Sequence, residues 1–275
     1  VCTIGDNTAV GAESMAATTT GTYNTAAGKN SLRANTTGAR NVALGFASLG
    51  ANTTGLYNIG IGFEALDANT TASGNTSIGY NSMGANTTGA ANVAMGFNAL
   101  DANTTAGSNV AIGYSAMSAN TTGADNVAIG TETMLANTTG AGNTAVGAAA
   151  GDAITTGASH TLMGKSSGTA ITTCEENAFF GFATGNAVTT GSYNTFLGSH
   201  AGTYGVATTT GIRNICIGTY PHTSAVDSQK QHVMGYNVVG AADSSFTFGD
   251  GTTDSSISFG ATSITAPSDV RLKED

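Results

Sequence analysis

The chain has 275 residues, of which 9% are Asp, Glu, Lys or Arg, with 39 Gly, no Trp and 40% apolar residues. Typical domains carry about 25% charged residues, and disorder requires high charge with few apolar side chains, so this composition points to a repeat. A net charge of −9, with no Lys/Arg cluster in the first 218 positions, excludes nucleic acid as a partner, and no apolar run approaches the ~18 residues of a membrane span.

In chain order, the chain opens at Val1 without signal-peptide features, as a fragment or processed product would. From Asn7 an Asn recurs every 17 residues, at Asn24, Asn41, Asn58, Asn75, Asn92, Asn109, Asn126 and Asn143. His160 takes the next slot, then Asn177 and Asn194, and three extra residues precede Asn214. A Gly follows four residues after each. Helix-pair repeats need about 33 residues and disfavour regular Gly, so the spacing predicts a parallel β-solenoid, a β-roll or β-helix of 17-residue coils. At about 4.8 Å per coil, about 13 coils would make a rod of about 60 Å.

Within each coil the phrase Asn-x-Ala-x-Gly alternates as a strand does. Residues one and three after the Asn, such as Val127 and Ile129, are expected inside the coil. The residue between them is then expected to point outward. That column runs through Ala9, Ala26, Ala43, Ala94, Ala111, Ala128 and Ala145 to Leu162, Phe179, Phe196 and Cys216. An apolar outward column implies a second face buried against a partner.

Eight residues after the Asn stands Met15, Leu32, Leu49, Leu66, Met83, Leu100, Met117 or Met134, then Gly151, Gly168, Gly185 and Gly202. In three of those later coils Ile154, Ile171 and Val188 replace the Asn of Asn-Thr-Thr, a compensation that places both slots in one close-packed interior. The Asn columns, including Asn35, Asn52, Asn69, Asn86, Asn103, Asn120 and Asn137, are expected to form ladders in which each amide bonds its copy in the next coil. The Gly after each strand suits a corner with positive φ. Phe46, Phe63, Tyr80, Phe97 and Tyr114 are expected to stack along another edge. The 17-residue register is expected to end near residue 218. Pro221 and Pro267 bracket a β-rich neck, 219–267, in which Asp250-Gly251 between SFTFG and SSISFG signals a hairpin. Residues 268–275 are expected to begin a further, truncated segment.

Sites of chemistry are sparse. His160, His200, His222 and His232 accompany no Gly-x-Ser-x-Gly elbow, and His160 in an Asn slot reads as structural. Asp67 and Asp101 share a slot two coils apart and Glu175-Glu176 are adjacent, but neither pair sits beside an aromatic subsite, so solvated surface charge is expected. No calcium loop occurs, and neither a metal nor a cofactor is expected. Cys2, Cys174 and Cys216, odd in number and far apart, read as buried single thiols. The Asn-Thr-Thr phrases match the glycosylation acceptor pattern, but the ladder explains their recurrence. The Thr columns, which could order water in an ice-binding protein, read instead as capping and hydrating a turn.

Two stretches resemble known families. Asn-Val-Ala-Ile-Gly, repeated over residues 7–218, resembles the head repeat of trimeric autotransporter adhesins, a left-handed parallel β-roll, although those heads use shorter coils. The ending Ala266-Pro-Ser-Asp-Val-Arg-Leu-Lys-Glu-Asp275 resembles the junction of the endosialidase-type intramolecular chaperone of phage tail fibres and tailspikes. The second resemblance implies self-cleavage at Ser268–Asp269, with Ser268 as nucleophile and Lys273 as its base, and a chaperone body that would lie downstream. Together they imply a homotrimer with a shaft (1–218), a neck (219–267) and the start of a chaperone segment (268–275). The implied function is structural and adhesive: the shaft or distal part of a tail fibre, extracellular on the virion, joined to other tail proteins and contacting a host-surface glycan or protein. A tailspike depolymerase and a bacterial trimeric surface adhesin are the alternatives.

Overall fold

The structure is a computed structural model in which residues 5–261 are described. The chain is all-β, a parallel β-solenoid of 17-residue coils, with no helix among the described residues. It divides between Ala149 and Ala150 into two units. The first stacks the three-residue strands from β1 (Thr8–Val10) to β9 (Thr144–Val146). Successive strands pair in parallel at one coil per step, so that Ala94 lies beside Ala111, Ala111 beside Ala128 and Ala128 beside Ala145.

The second unit holds β10 (Thr161–Met163), β11 (Ala178–Phe180), β12 (Thr195–Leu197) and β13 (Ile215–Ile217), paired in the same way. Residues past 218 extend this ladder, because β14 (Gln231–Gly235) pairs in parallel with β13, and β15 (Ser245–Gly249) with β14. The chain then turns at Asp250-Gly251 into β16 (Ser255–Ser258), antiparallel to β15. The Asp250 carboxylate accepts the Thr252 hydroxyl and the N–H groups of Thr252 and Thr253, which holds its pKa down to about 2.

The coils turn at residues in the left-handed region. In the coil of Asn92 these are Ala91 (φ 58°), Asn98 (φ 51°) and Leu100 (φ 54°), and the same three slots recur in other coils. Each such non-Gly residue costs about 1–2 kcal/mol. Inter-coil hydrogen bonds hold them there: Ala91 N–H to Ser73 O at 3.1 Å, Asn98 N–H to Tyr80 O at 3.0 Å, and Leu100 N–H to Ala116 O at 2.9 Å.

The parity expected for the strands is reversed. Ala26, Ala43, Ala94, Ala111, Ala128 and Ala145 are fully buried, whereas Val127 is half-buried and Ile129 is 37% exposed. The Ala column therefore faces the coil interior, and Val127 and Ile129 face out. Leu162, Phe179 and Phe196 are likewise inside their own coils, not on an axis between chains. Volume explains the arrangement. A coil interior this narrow holds one large side chain: Met83, Leu100, Met117 or Met134, each fully buried, leaves room only for Ala or another small residue opposite. Where Gly occupies that slot, the space goes to others. A Cβ added at Gly151 would lie 2.7 Å from Ile154 Cδ1, and one at Gly185 or Gly202 would overlap the Phe179 or Phe196 ring. Ile154, Ile171 and Val188 are fully buried, as the compensation in sequence predicts.

The two Asn columns bond differently. In the Asn-Thr-Thr column the amides bond their copies directly: Asn103 Nδ2 donates to Asn86 Oδ1 at 2.8 Å and Asn137 Nδ2 to Asn120 Oδ1 at 2.8 Å. In the strand-leading column the partner is mostly backbone. Asn109 Oδ1 accepts the N–H of Asn126 at 3.0 Å, and Asn109 Nδ2 donates to the carbonyl of Gly123 at 3.0 Å. These bonds satisfy amides and peptide groups that burial would otherwise leave unpaired.

His160 reproduces the second pattern. The Asn177 N–H donates to His160 Nδ1 at 3.2 Å, so the ring proton sits on Nε2 and is donated to the Cys174 carbonyl at 2.9 Å. Burial lowers the imidazole pKa from 6.5 to about 4, against the raising effect of the Cys174 bond. Above pH 6.5 the folded and unfolded imidazoles are both neutral. As the pH falls from 6.5 to 4 the unfolded chain takes up a proton that the folded coil refuses, so stability is lost across that window, by about 3 kcal/mol. Urea unfolding of the wild type should show this loss and His160→Asn should lack it; equal pH slopes would refute the assignment.

Candidate functional site

With Ala inside, the strands of the first unit present two apolar columns outward. One includes Ile59, Val93, Val110 and Val127; the other Leu44, Ile61, Ile78, Met95, Ile112 and Ile129. Just past the Gly that ends each strand stand Phe46, Phe63, Tyr80, Phe97 and Tyr114. Their rings stack in one ladder with centroids 5.0–5.4 Å apart and planes within 15°. Each ring is 39–52% exposed. Nine strands at coil spacing make these columns a face of roughly 500 Å², at the upper end for a monomer's largest apolar patch.

The second unit also faces outward with apolar side chains: Met163, Leu197 and Met234 are 42%, 49% and 44% exposed. Over β13 to β15 this face opens into a cavity of about 280 Å³ lined by Ile215, Ile217, His232, Val233, Met234 and Phe246. His232 is held edge-on by the Phe259 ring at 4.8 Å.

Elsewhere in the second unit the three-residue insertion forms a loop closed on itself, with Thr208 N–H donating to Gly202 O at 3.1 Å and Gly202 N–H to Pro221 O at 2.8 Å. Around it gather Phe182, His200, Tyr204, Tyr220, His222 and Tyr236, in a chain of centroid contacts of 4.7–6.5 Å. The break in the 17-residue step marks the insertion in the sequence, but no repeating column signals that its path brings these rings together. Arg40 lies between Tyr23 and Tyr57, 5.7 and 5.3 Å from their ring centres, and donates to the Tyr57 hydroxyl at 2.7 Å.

The residues singled out for chemistry are dispersed. Ser268, Lys273 and the Ser268–Asp269 bond lie outside the described residues, as does Cys2. Asp101 accepts from Asn81 Nδ2 at 3.0 Å, and burial raises its pKa despite that bond. Burial and then Glu64 raise that of Asp67, opposed by Arg33. Glu175 and Glu176 are exposed. Cys174 and Cys216 are buried free thiols, and burial pushes the Cys174 thiol up to about 11 and Cys216 higher still. Such thiols are poor nucleophiles at neutral pH. The Asn side chains of the Asn-Thr-Thr phrases are fully buried, out of reach of a glycosylating enzyme. Comparison of the chain with family models, with curated proteins and with solved structures yields no match.

Proposed function

We propose that this chain is a structural and adhesive fibre protein, the shaft or distal part of a phage tail fibre, assembled as a homotrimer and displayed outside the cell on the virion. The observation that carries this reading is the outward strand face. A column of Val, Ile, Leu and Met repeated coil after coil is costly in water and costs nothing when a second copy of the same chain covers it. Identical coils give identical columns, so copies in register match along their whole length. The charge-poor surface, the solenoid fold and the Ser268–Lys273 ending also support the reading. On it, other tail proteins join the fibre, a host-surface glycan or protein is the target, and the chain made with its downstream segment is cut at Ser268–Asp269. Antibodies raised against the purified chain should decorate virion tails in electron micrographs of the source lysate. Decoration of uninfected cell surfaces would assign the chain to a bacterial adhesin instead.

A further inference from the structure

We propose that the insertion loop of the second unit and the rings around it form a binding platform for a neutral glycan, a site resting on the attachment reading only for where that glycan comes from. Two sets of aromatic side chains are exposed, and their geometry differs. In the Phe46–Tyr114 ladder the rings are nearly parallel and cover one another's faces, so solvent meets edges. Around the insertion the rings are tilted: His200 and Tyr220 by 34°, Tyr204 and Tyr220 by 48°, Phe182 and His200 by 72°, Tyr220 and Tyr236 by 75°. A tilted neighbour meets a ring by its edge and covers less of its faces than a stacked one, and Phe182, Tyr204 and Tyr236 are 50%, 52% and 61% exposed. Tyr204 and Tyr236 therefore present ring face and phenol hydroxyl together on either contact of Tyr220, and Phe182 adds an apolar ring beside His200.

That combination suits a pyranose. The C–H bonds on a sugar's flat face carry partial positive charge and meet the negative face of an aromatic ring, while phenol hydroxyls and imidazole nitrogens exchange hydrogen bonds with its hydroxyls. The rings themselves bring no charge, and Lys165, in the slot of Phe182 one coil earlier, is a cation at that edge, so the centre of the platform around Tyr220 suits an uncharged sugar.

The loop is also fixed before any ligand arrives. Its ends bond each other and Pro221, Thr208 Oγ1 bonds Thr223 Oγ1 at 2.8 Å, and Gly205 (φ 65°) packs so closely on His222 that a Cβ there would lie 2.6 Å from Nε2. His222 is buried and supports the loop from beneath, leaving Tyr204 at its crest. A preorganised loop loses little entropy on binding, which matters for the weak contacts a sugar makes.

The test uses the full chain and titration calorimetry, because only three of its eight Tyr belong to the platform and their emission cannot be read apart from the rest. Maltohexaose, cellohexaose, a mannan hexasaccharide and a galactan hexasaccharide are titrated. At least one should bind saturably with a Kd of about 1 mM or tighter. Tyr204→Ala and Tyr236→Ala, both at exposed positions, should each weaken that binding at least about tenfold, and Tyr80→Ala in the parallel ladder should leave it unchanged. The proposal is overturned by no saturable binding with all four sugars, or by binding that survives both variants. Oligomeric mass is read on the same samples: a trimer that binds no sugar sinks the platform alone, whereas a monomer that binds sugar sinks the assembly reading alone.

Discussion

Phe179→Ala is expected to lower the stability of the second unit by about 3–5 kcal/mol, read as a shifted urea midpoint. The ring is fully buried and stacks on Phe196 at 4.8 Å and 5°. Its removal leaves a void between Leu162 and Phe196, its neighbours in the adjoining coils, in a close-packed interior that relaxes only in part. Gly185 makes the claim sharper, because it holds the slot where coils of the first unit carry Leu or Met. Gly185 has φ 59° and Leu100 φ 54°, so the backbone is the same in both settings. Phe179→Ala combined with Gly185→Leu gives this coil the Ala and Leu of a first-unit interior, with Val188 still in the Asn slot. The double variant should recover at least about half of the loss, even after about 1 kcal/mol for a left-handed Leu. Losses that simply add would show that the two slots do not share one volume.

Gly113→Ala is expected to cost on the order of 4 kcal/mol in the first unit, seen as a lowered unfolding midpoint. Gly113 has φ 138°, a conformation open to Gly almost alone, and a Cβ there would overlap the Gly130 carbonyl of the next coil. The obstacle is backbone, so no side chain can move aside to admit the methyl group. Gly74 makes the contrast: it has φ 73°, but its Cβ would meet nothing closer than 4.0 Å. Gly74→Ala should therefore cost about 1 kcal/mol, since Ala91 already occupies the equivalent slot at φ 58°. Equal costs at the two positions would remove close coil approach as the reason for the column of Gly.

These variants also mark what the sequence made legible. The period, the parallel stacking, the burial of Met134 and Ile154 and the stacked rings from Phe46 to Tyr114 follow from columns in which one residue type recurs at one slot. Strand parity did not follow, because both sides of Asn-Val-Ala-Ile-Gly are apolar and alternation alone permits either choice. The deciding signal was in the chain: Ala128 coexists with Met134, whereas Phe179 coexists with Gly185 and Phe196 with Gly202. Residues that trade volume must share a space, so the Ala column belonged inside with Met134. The bonding of the strand-leading Asn was also hidden, since an amide that bonds backbone and one that bonds its copy leave the same column of Asn. His160 was informative there, because an imidazole replaces Asn where an acceptor and a donor are needed at fixed places. The aromatic cluster of the second unit depends on a loop path that the three extra residues announce without describing.

With the parity reversed, the surface proposed for assembly is the outward Val and Ile face. Asp at Ala128 or Ala145 would strike the coil interior and unfold it, so it cannot report on association; Ile112→Asp and Ile129→Asp place charge on the outward face and can. The most direct measurement is the light-scattering mass of the purified chain after size exclusion, alone and with both Ile replaced. The wild type should have three times the 27.0 kDa mass of one chain, and the double variant should fall to a single folded chain with an unchanged β-type circular dichroism spectrum. A 27.0 kDa wild type, or a trimer that survives both charges, would contradict the account.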